Sequence, residues 1–440
     1  MLSSRGLDWC PKLKAALNKT MKIRNAFYAQ SGGVTAVINA SASGVIETAR
    51  EYTATIGKVY AGLNGIVGAL KEEMVDTSKE SEENISKLCH TPGGAFGSCR
   101  YKMQNLEDDT REYERLIDVF KAHNIGFFFY NGGGDSADTC LKVSKVSEKM
   151  GYPIQSIHIP KTIDNDLPLT DCSPGFGSVA KYVATSIKEA SLDIASMSAS
   201  STKVFILEVM GRHAGWIAAS GGLASQKKGD APHIILFPEI PFSREKFISK
   251  VETTIKEKGY CVVVASEGTQ YSDGAHISGS LQRDAFGHQQ LGGVAPTLAS
   301  MIKQSTGHKY HWALADYLQR SARHIASKTD VEQAYAVGKR AVELAVEGKD
   351  SIMVTIERDE GSSYHWSLGE ASLAKVANME KKMPRSFITK DGFNITQEAR
   401  KYLDPLIAGE DYPPYKNGIP DYVSLRKVMV PKKLADYFSA

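Results

Sequence analysis

No apolar run in this 440-residue chain approaches the ~18 residues needed to span a bilayer, so no membrane-spanning helix is expected. Its six cysteines, at positions 10, 89, 99, 140, 172 and 261, are scattered and form no Cys-x-x-Cys pair. That spacing argues against a structural zinc or a disulfide framework and for reduced thiols. Charge of one sign is not in excess either: 53 Lys and Arg against 50 Asp and Glu leave a formal net charge of +3. So small a surplus does not make nucleic acid or an anionic membrane the main partner. The first ten residues, Met1 to Cys10, contain no apolar core of a secretory signal. A cytoplasmic protein is expected. The remaining composition, 42% hydrophobic and 23% charged, is ordinary for a globular enzyme. The chain exceeds the ~250–300 residues at which one hydrophobic core stops growing, so two lobes are expected.

Short β-rich runs alternate with longer amphipathic stretches, the pattern of βαβ units and therefore of an α/β fold with parallel strands. Strands are predicted at 23–30, 57–60, 125–130, 154–159, 203–209, 233–237 and 260–266, and almost every one ends in glycine or acidic residues. Helical periodicity marks 35–52, 110–122, 136–149, 177–197 and 331–347. The stretch from about 361 onward, rich in Lys, Tyr and Pro, reads as an extension over the lobes.

Chemistry concentrates where strands end. Pro160-Lys161-Thr162-Ile163-Asp164-Asn165-Asp166 places two carboxylates, a hydroxyl and a lysine directly after a strand. Ligands of open α/β sheets gather outside the carboxyl ends of strands. One carboxylate can take a proton from a hydroxyl, a second can hold Mg²⁺ and the lysine can meet a phosphate, as phosphoryl transfer requires. An Asn/Asp-rich turn also caps helices with no further role. Ser31-Gly32-Gly33 lies between a strand and a helix, where backbone N–H groups and the helix N-terminus favour an anion, although a plain tight turn uses the same residues. Gly132-Gly133-Gly134-Asp135-Ser136 repeats that arrangement, and Arg100 closes a third glycine-rich loop. Downstream, Met210-Gly211-Arg212, Glu267 and Tyr317-Leu318-Gln319-Arg320 follow predicted strands or helices and suit a sugar phosphate, with Arg on phosphate and Glu accepting from hydroxyls.

Taken in this order, the segments closely resemble the phosphofructokinase family over about residues 22–340. The resemblance implies two doubly wound, Rossmann-like α/β lobes with the active site in the cleft between them. It assigns residues 22–167 to the phosphoryl-donor lobe and 168–340 to the sugar-phosphate lobe and return segment, with an N-terminal extension over 1–21 and a C-terminal extension over 341–440 packing on the lobes. It implies transfer of a phosphoryl group to the 1-hydroxyl of fructose 6-phosphate. By that resemblance Asp164 is the general base, with Lys161 and Arg212 stabilising charge. Gly32, Gly33, Arg100, Asp135 and Lys161 bind the donor. Thr162, Ile163, Asp164, Lys203, Met210, Gly211, Arg212, Glu267, Tyr317 and Arg320 bind the sugar phosphate, and Asp135 and Asp166 lie around Mg²⁺.

The donor in this family is ATP or pyrophosphate. ATP users typically read Gly-Gly-Asp-Gly-Ser and Pro-Gly-Thr-Ile-Asp where this chain reads Gly-Gly-Gly-Asp-Ser and Pro-Lys-Thr-Ile-Asp. A carboxylate at ~4 Å from the α-phosphate of ATP, at an effective dielectric near 20, repels it by ~4 kcal/mol. Pyrophosphate is therefore the expected donor, and the reaction is expected to be reversible. An ATP-dependent or mixed-donor enzyme and a silent sugar-phosphate-binding subunit are the rival readings. Arginines that other members send across a subunit interface fall at Lys203 and near His311 and Lys309, so a homodimer or homotetramer is expected.

Overall fold

The computed structural model describes residues 23–283, 289–361 and 363–437; the expected N-terminal extension over 1–21 lies outside them. Along the chain come β1 (Arg24–Gln30), β2 (Ile56–Gly62), β3 (Met74–Asp76), β4 (Ile125–Gly132) and β5 (Gln155–Pro160). There follow β6 (Val204–Val209), β7 (Ile234–Leu236), β8 (Cys261–Ser266), the paired β9 (Gly279–Arg283) and β10 (Gln289–Leu291), β11 (Tyr310–Leu314), β12 (Ile352–Arg358) and β13 (Trp366–Ser372).

A seven-stranded sheet has the order β13-β12-β5-β4-β1-β2-β3, and a four-stranded sheet the order β11-β6-β8-β7. In the first, β2, β1, β4, β5 and β12 run parallel, flanked by antiparallel β3 and β13. The second is parallel throughout. Every residue of β4 (Ile-Gly-Phe-Phe-Phe-Tyr-Asn-Gly) and of β8 (Cys-Val-Val-Val-Ala-Ser) is buried, because a parallel strand covered by helices on both faces has no solvent side. The helix Arg111–Ala122 buries Tyr113, Leu116, Ile117, Val119 and Phe120, the stripe its 3.6-residue period dictates.

β1 leads through the helix Ile38–Glu51 to β2 on one side, while β4 and β5 lie on the other. The winding direction reverses between β1 and β4, and a crevice opens at such a reversal in open α/β sheets. The helix Phe176–Met197 carries the chain into the second sheet. At the junction Trp216 packs edge-to-face with Phe176 and Phe387 and at a tilt with Tyr402.

Past residue 340 the chain continues into the first lobe. After the second lobe the helix Lys328–Val346 returns to the first and packs on Ile38–Glu51 so closely that a Cβ at Gly44 or Gly338 would collide with backbone of the other helix. β12 then joins the first sheet parallel to β5, and β13 closes its edge. The run Ile352-Met353-Val354-Thr355-Ile356, β-branched at all but Met353, is buried throughout, as a sheet interior requires. Farther on, the backbone of Val428 and Val430 bonds to Asp76 and Met74 of β3.

Candidate active site

The carboxyl ends of β1, β4 and β5 are neighbours by register, with Gln30 opposite Asn131 and Gly132 opposite Pro160. Those of β6, β8 and β11 are neighbours too, with Val209 opposite Ser266 and Leu314 opposite Glu208. The two sets face one cleft of about 1110 Å³, and all but one of the candidate residues line it or build its loops.

On the first wall, Ser98 Oγ donates to Gly32 O at 2.7 Å and Gly32 N–H to Cys99 O at 2.9 Å, fixing the Ser31–Gly33 loop against the loop that carries Arg100. Gly32 has φ +72°, in the left-handed region that favours glycine. A Cβ at Gly33 would collide with the Arg320 guanidinium and come within 3.7 Å of Arg100 Nη2. Buried Lys161 donates from Nζ to Gly33 O at 2.7 Å. Three cationic side chains thus converge on one turn. Burial first, then Arg320 and Arg100, pull Lys161 down to about 7. Across the crevice, a Cβ at Gly132 would collide with Ser136, so packing demands that glycine. Gly134 is different: nothing of the protein lies within 4 Å of where its Cβ would be, and the nearest atom to one at Gly133 is 3.9 Å away. The bare backbone there borders empty cleft. Asp135 follows in the first helical turn, its side chain about half accessible at 49%, with Lys102 Nζ 3.9 Å away.

The turn after β5 carries the acid chemistry. Asp164 N–H donates to Thr162 Oγ1 at 3.1 Å. Burial first, then the charges of Asp166 and Glu267, raises Asp164 above the ordinary carboxylate range against the pull of Lys161 and Arg212. Asp166 is raised chiefly by burial. Asn165 points away from the cleft: it is buried with φ +53°, accepts from Ser173 N–H and donates to the Tyr402 hydroxyl.

On the second wall, Gly211 has φ +124° and its carbonyl accepts from Ser266 Oγ at 2.5 Å, which shapes the Met210–Arg212 loop. Glu267, raised chiefly by burial, lies beside Arg212, which pulls it back. Tyr317 stacks under the Arg320 guanidinium at 3.8 Å. Arg320, expected on the sugar phosphate, also reaches the glycine loop of the opposite lobe. Lys203 is not brought to the cleft. It precedes β6 at the end far from the site, where its ammonium donates to Ser198 O, with Lys309 nearby on Ser201 Oγ at 3.2 Å.

Asn378, Met379, Glu380 and Lys382 also line the cleft, and sequence reasoning missed them. His213 Nδ1 lies 2.9 Å from Glu380 Oε1, and Lys382 Nζ donates to Glu380 Oε2 at 3.2 Å. In the sequence this charged stretch is indistinguishable from a solvated surface loop; only the returning chain brings it here.

Among the described residues no group of three or more His, Cys, Asp or Glu side chains is arranged to hold a metal ion. Mg²⁺ on phosphate substrates is commonly held by one or two carboxylates, with phosphate oxygens and water completing its shell. Asp135 and Asp166, the pair expected around Mg²⁺, both line the cleft and supply carboxylates of that kind.

The phosphofructokinase family model matches residues 25–345. A pyrophosphate–fructose 6-phosphate 1-phosphotransferase of Methylococcus capsulatus is 64% identical over 419 residues, covering 95% of this chain and all of the relative. One of the same name from Halomonas elongata is 64% identical over 417 residues, covering 95% and 100%. The crystal structure of a pyrophosphate-dependent phosphofructokinase from Marinobacter aquaeolei superposes with a TM-score of 0.88 at 64% identity, covering 95% of this chain and all of that one. With glycine loops, acidic turn and sugar-side arms all set at parallel strand ends around one cleft, the chain belongs to the phosphofructokinase family.

Proposed function

We propose that this cleft transfers a phosphoryl group reversibly between pyrophosphate and the 1-hydroxyl of fructose 6-phosphate, giving fructose 1,6-bisphosphate and phosphate. One observation carries the reading: Lys161, Arg100 and Arg320 converge on Gly33, next to the open backbone of Gly133 and Gly134 and the Asp164 turn. The activity for which relatives 64% identical to this chain are named supports it.

Pyrophosphate binds the Gly32–Gly33 backbone, with the Arg100 and Arg320 forks on its oxygens. Fructose 6-phosphate lies on the Met210–Arg212 loop, its hydroxyls donating to Glu267. Asp164 accepts the proton of the 1-hydroxyl, and the basicity that burial gives its carboxylate favours that transfer. Lys161 and Arg212 stabilise charge on the transferred and leaving phosphates. Asp135 and Asp166 would hold Mg²⁺, which when bound neutralises phosphate oxygens.

The electrostatic case against ATP is smaller than the bare charge placement predicts. Asp135 is half accessible and has Lys102 nearby, so its repulsion of a further phosphate falls toward the ~1 kcal/mol of a solvated pair, about fivefold in affinity. Lys161 adds to the exclusion by occupying the loop floor with its side chain. We further propose a homodimer or homotetramer. Trp312, Leu314, Tyr317 and Leu318 are exposed along edge strand β11 and the helix after it, and His311 shares that edge. The five described cysteines are free, which supports a reducing, cytoplasmic setting.

A coupled assay of the purified full chain with Mg²⁺ tests the reading. Turnover with pyrophosphate in both directions, at least about a hundredfold above ATP, is expected. A preference for ATP, or sugar-phosphate binding without turnover, overturns it.

A further inference from the structure

We propose that Lys381, contributed by the C-terminal segment, is a positioning residue that clamps the Thr162–Asp171 turn so that Asp164 and Asp166 aim into the cleft. The proposal rests on the phosphoryl-transfer reading above. Lys381 itself does not line the cleft, although its neighbours Glu380 and Lys382 do.

Its ammonium turns inward. Nζ donates to Asp171 O at 2.8 Å, Thr170 O at 3.1 Å and Asn165 Oδ1 at 3.3 Å, so all three donors of the group serve one turn. Its backbone N–H donates to Asp166 O at 2.6 Å, gripping the same turn at a fourth point. The Trp216 ring lies 5.3 Å from Nζ and shields one side of the ammonium.

The turn needs such a grip. Asn165 and Leu169 hold φ +53° and +62°, conformations that non-glycine residues keep only when their surroundings over-determine them. Two carboxylates are set into the same few residues, and burial disfavours their charged forms. A fixed cation behind the turn satisfies its inward oxygens and brings a compensating charge to Asp166. Tyr402 completes the clamp: its hydroxyl accepts from Asn165 Nδ2 at 2.9 Å and donates to Asp171 O at 2.5 Å. Both residues lie beyond position 345, where the family match ends, so this part of the chain supplies a rear support to a turn whose front face holds the acid chemistry.

Because Lys381 acts through the turn and not on substrate, its loss should lower kcat and spare KM. In Lys381→Met, made in the full chain, kcat in both directions should fall about a hundredfold, the loss that an ångström-scale misplacement of reacting groups produces. KM for pyrophosphate and fructose 6-phosphate should stay within about threefold of wild type. Methylammonium should restore part of the kcat of Lys381→Ala and leave wild type unchanged. By hydrogen exchange, amides of 163–171 should open at least about tenfold faster in Lys381→Met, with those of β8 unaltered. A folded variant with kcat within about threefold of wild type, a loss carried by KM, or unchanged exchange in the turn overturns the clamp. If Lys381→Met is not recovered folded, Tyr402→Phe carries the test, with a fall of about three- to tenfold in kcat and the same KM pattern expected; wild-type kcat there overturns it. A wild-type chain without turnover sinks the phosphoryl-transfer reading, and the exchange measurement then decides the clamp alone.

Discussion

The two walls of the cleft, proposed above for donor and for sugar phosphate, present their polar groups in different ways. The donor wall offers backbone: the Ser31–Gly33 and Gly132–Gly134 turns, with Lys161 folded onto a carbonyl between them. The sugar wall offers side-chain arms, Arg212 and Glu267, on loops tied to one another, as Ser266 Oγ is to Gly211 O, while Arg320 reaches from it across to Gly33. Backbone recognition suits a small, highly charged guest that needs many donors in little space. Arms suit a polyhydroxylated guest whose groups must be told apart. The glycines of the two walls accordingly exist for different reasons. Gly211 is required by the protein, with φ +124° and Ala214 O 2.9 Å from where a Cβ would sit. Gly134 has no such neighbour: nothing in the protein outside its own helix and chain neighbours stands within 4 Å of a Cβ there, so packing does not call for glycine, and the pyrophosphate site proposed above does.

Removing the acid chemistry between the walls gives the largest expected effect. Asp164→Ala should lower kcat by about 10⁴-fold, the upper end for general base catalysis, with affinity for both substrates largely kept in calorimetry. Near-normal turnover would remove Asp164 from its role. Next, Lys161→Met should cost about 10²–10³-fold in kcat, as loss of one preorganised electrostatic group does, and should weaken pyrophosphate more than sugar phosphate. Equal weakening of both would erase the distinction between the walls.

The glycine contrast is sharper still. Gly134→Ala should leave the thermal midpoint unchanged or slightly raised, since Ala favours a helix by ~1 kcal/mol over Gly, while KM for pyrophosphate rises about tenfold. Gly211→Ala should instead destabilise the fold by about 1–3 kcal/mol, the cost of a strained φ, as read by denaturant unfolding. If the two variants behaved alike, the assignment of one glycine to ligand and the other to packing would fail.

The smallest effect is a proton. Lys161, held near 7 in the empty cleft by burial and by two arginines, regains a favourable environment when an anion arrives, so its pKa rises on binding. Complex then binds more protons than free protein above pH 7, and pyrophosphate affinity through this group strengthens as pH falls toward 7, levelling below. Calorimetry in buffers of differing ionisation enthalpy should show fractional proton uptake at pH 8 that disappears in Lys161→Met.

Much of the first wall is readable in the sequence because its chemistry is local. A strand that ends in glycine or acid places those groups at the sheet's carboxyl edge whatever else the chain does, so Gly32, Asp135, Lys161 and Asp164 could be located from the run they terminate. Arg320 was assigned to one substrate only, since no local rule says which way a six-bond arm on a short helix will reach. Strands β12 and β13 were read as an extension because a β-rich run after a long helix does not announce which sheet it joins.

Sequence alone determined the α/β architecture, the acidic turn after β5 and the glycine loops, since each follows from periodicity and residue type within a few positions of chain. Tertiary structure decided the contribution of residues 378–380 and 382 to the cleft wall, the meeting of Arg320 with Gly33, and the titration of Lys161 and Asp164. Those depend on groups up to hundreds of residues apart approaching within a few ångströms, where desolvation and Coulomb forces act on separation in space and are blind to separation along the chain.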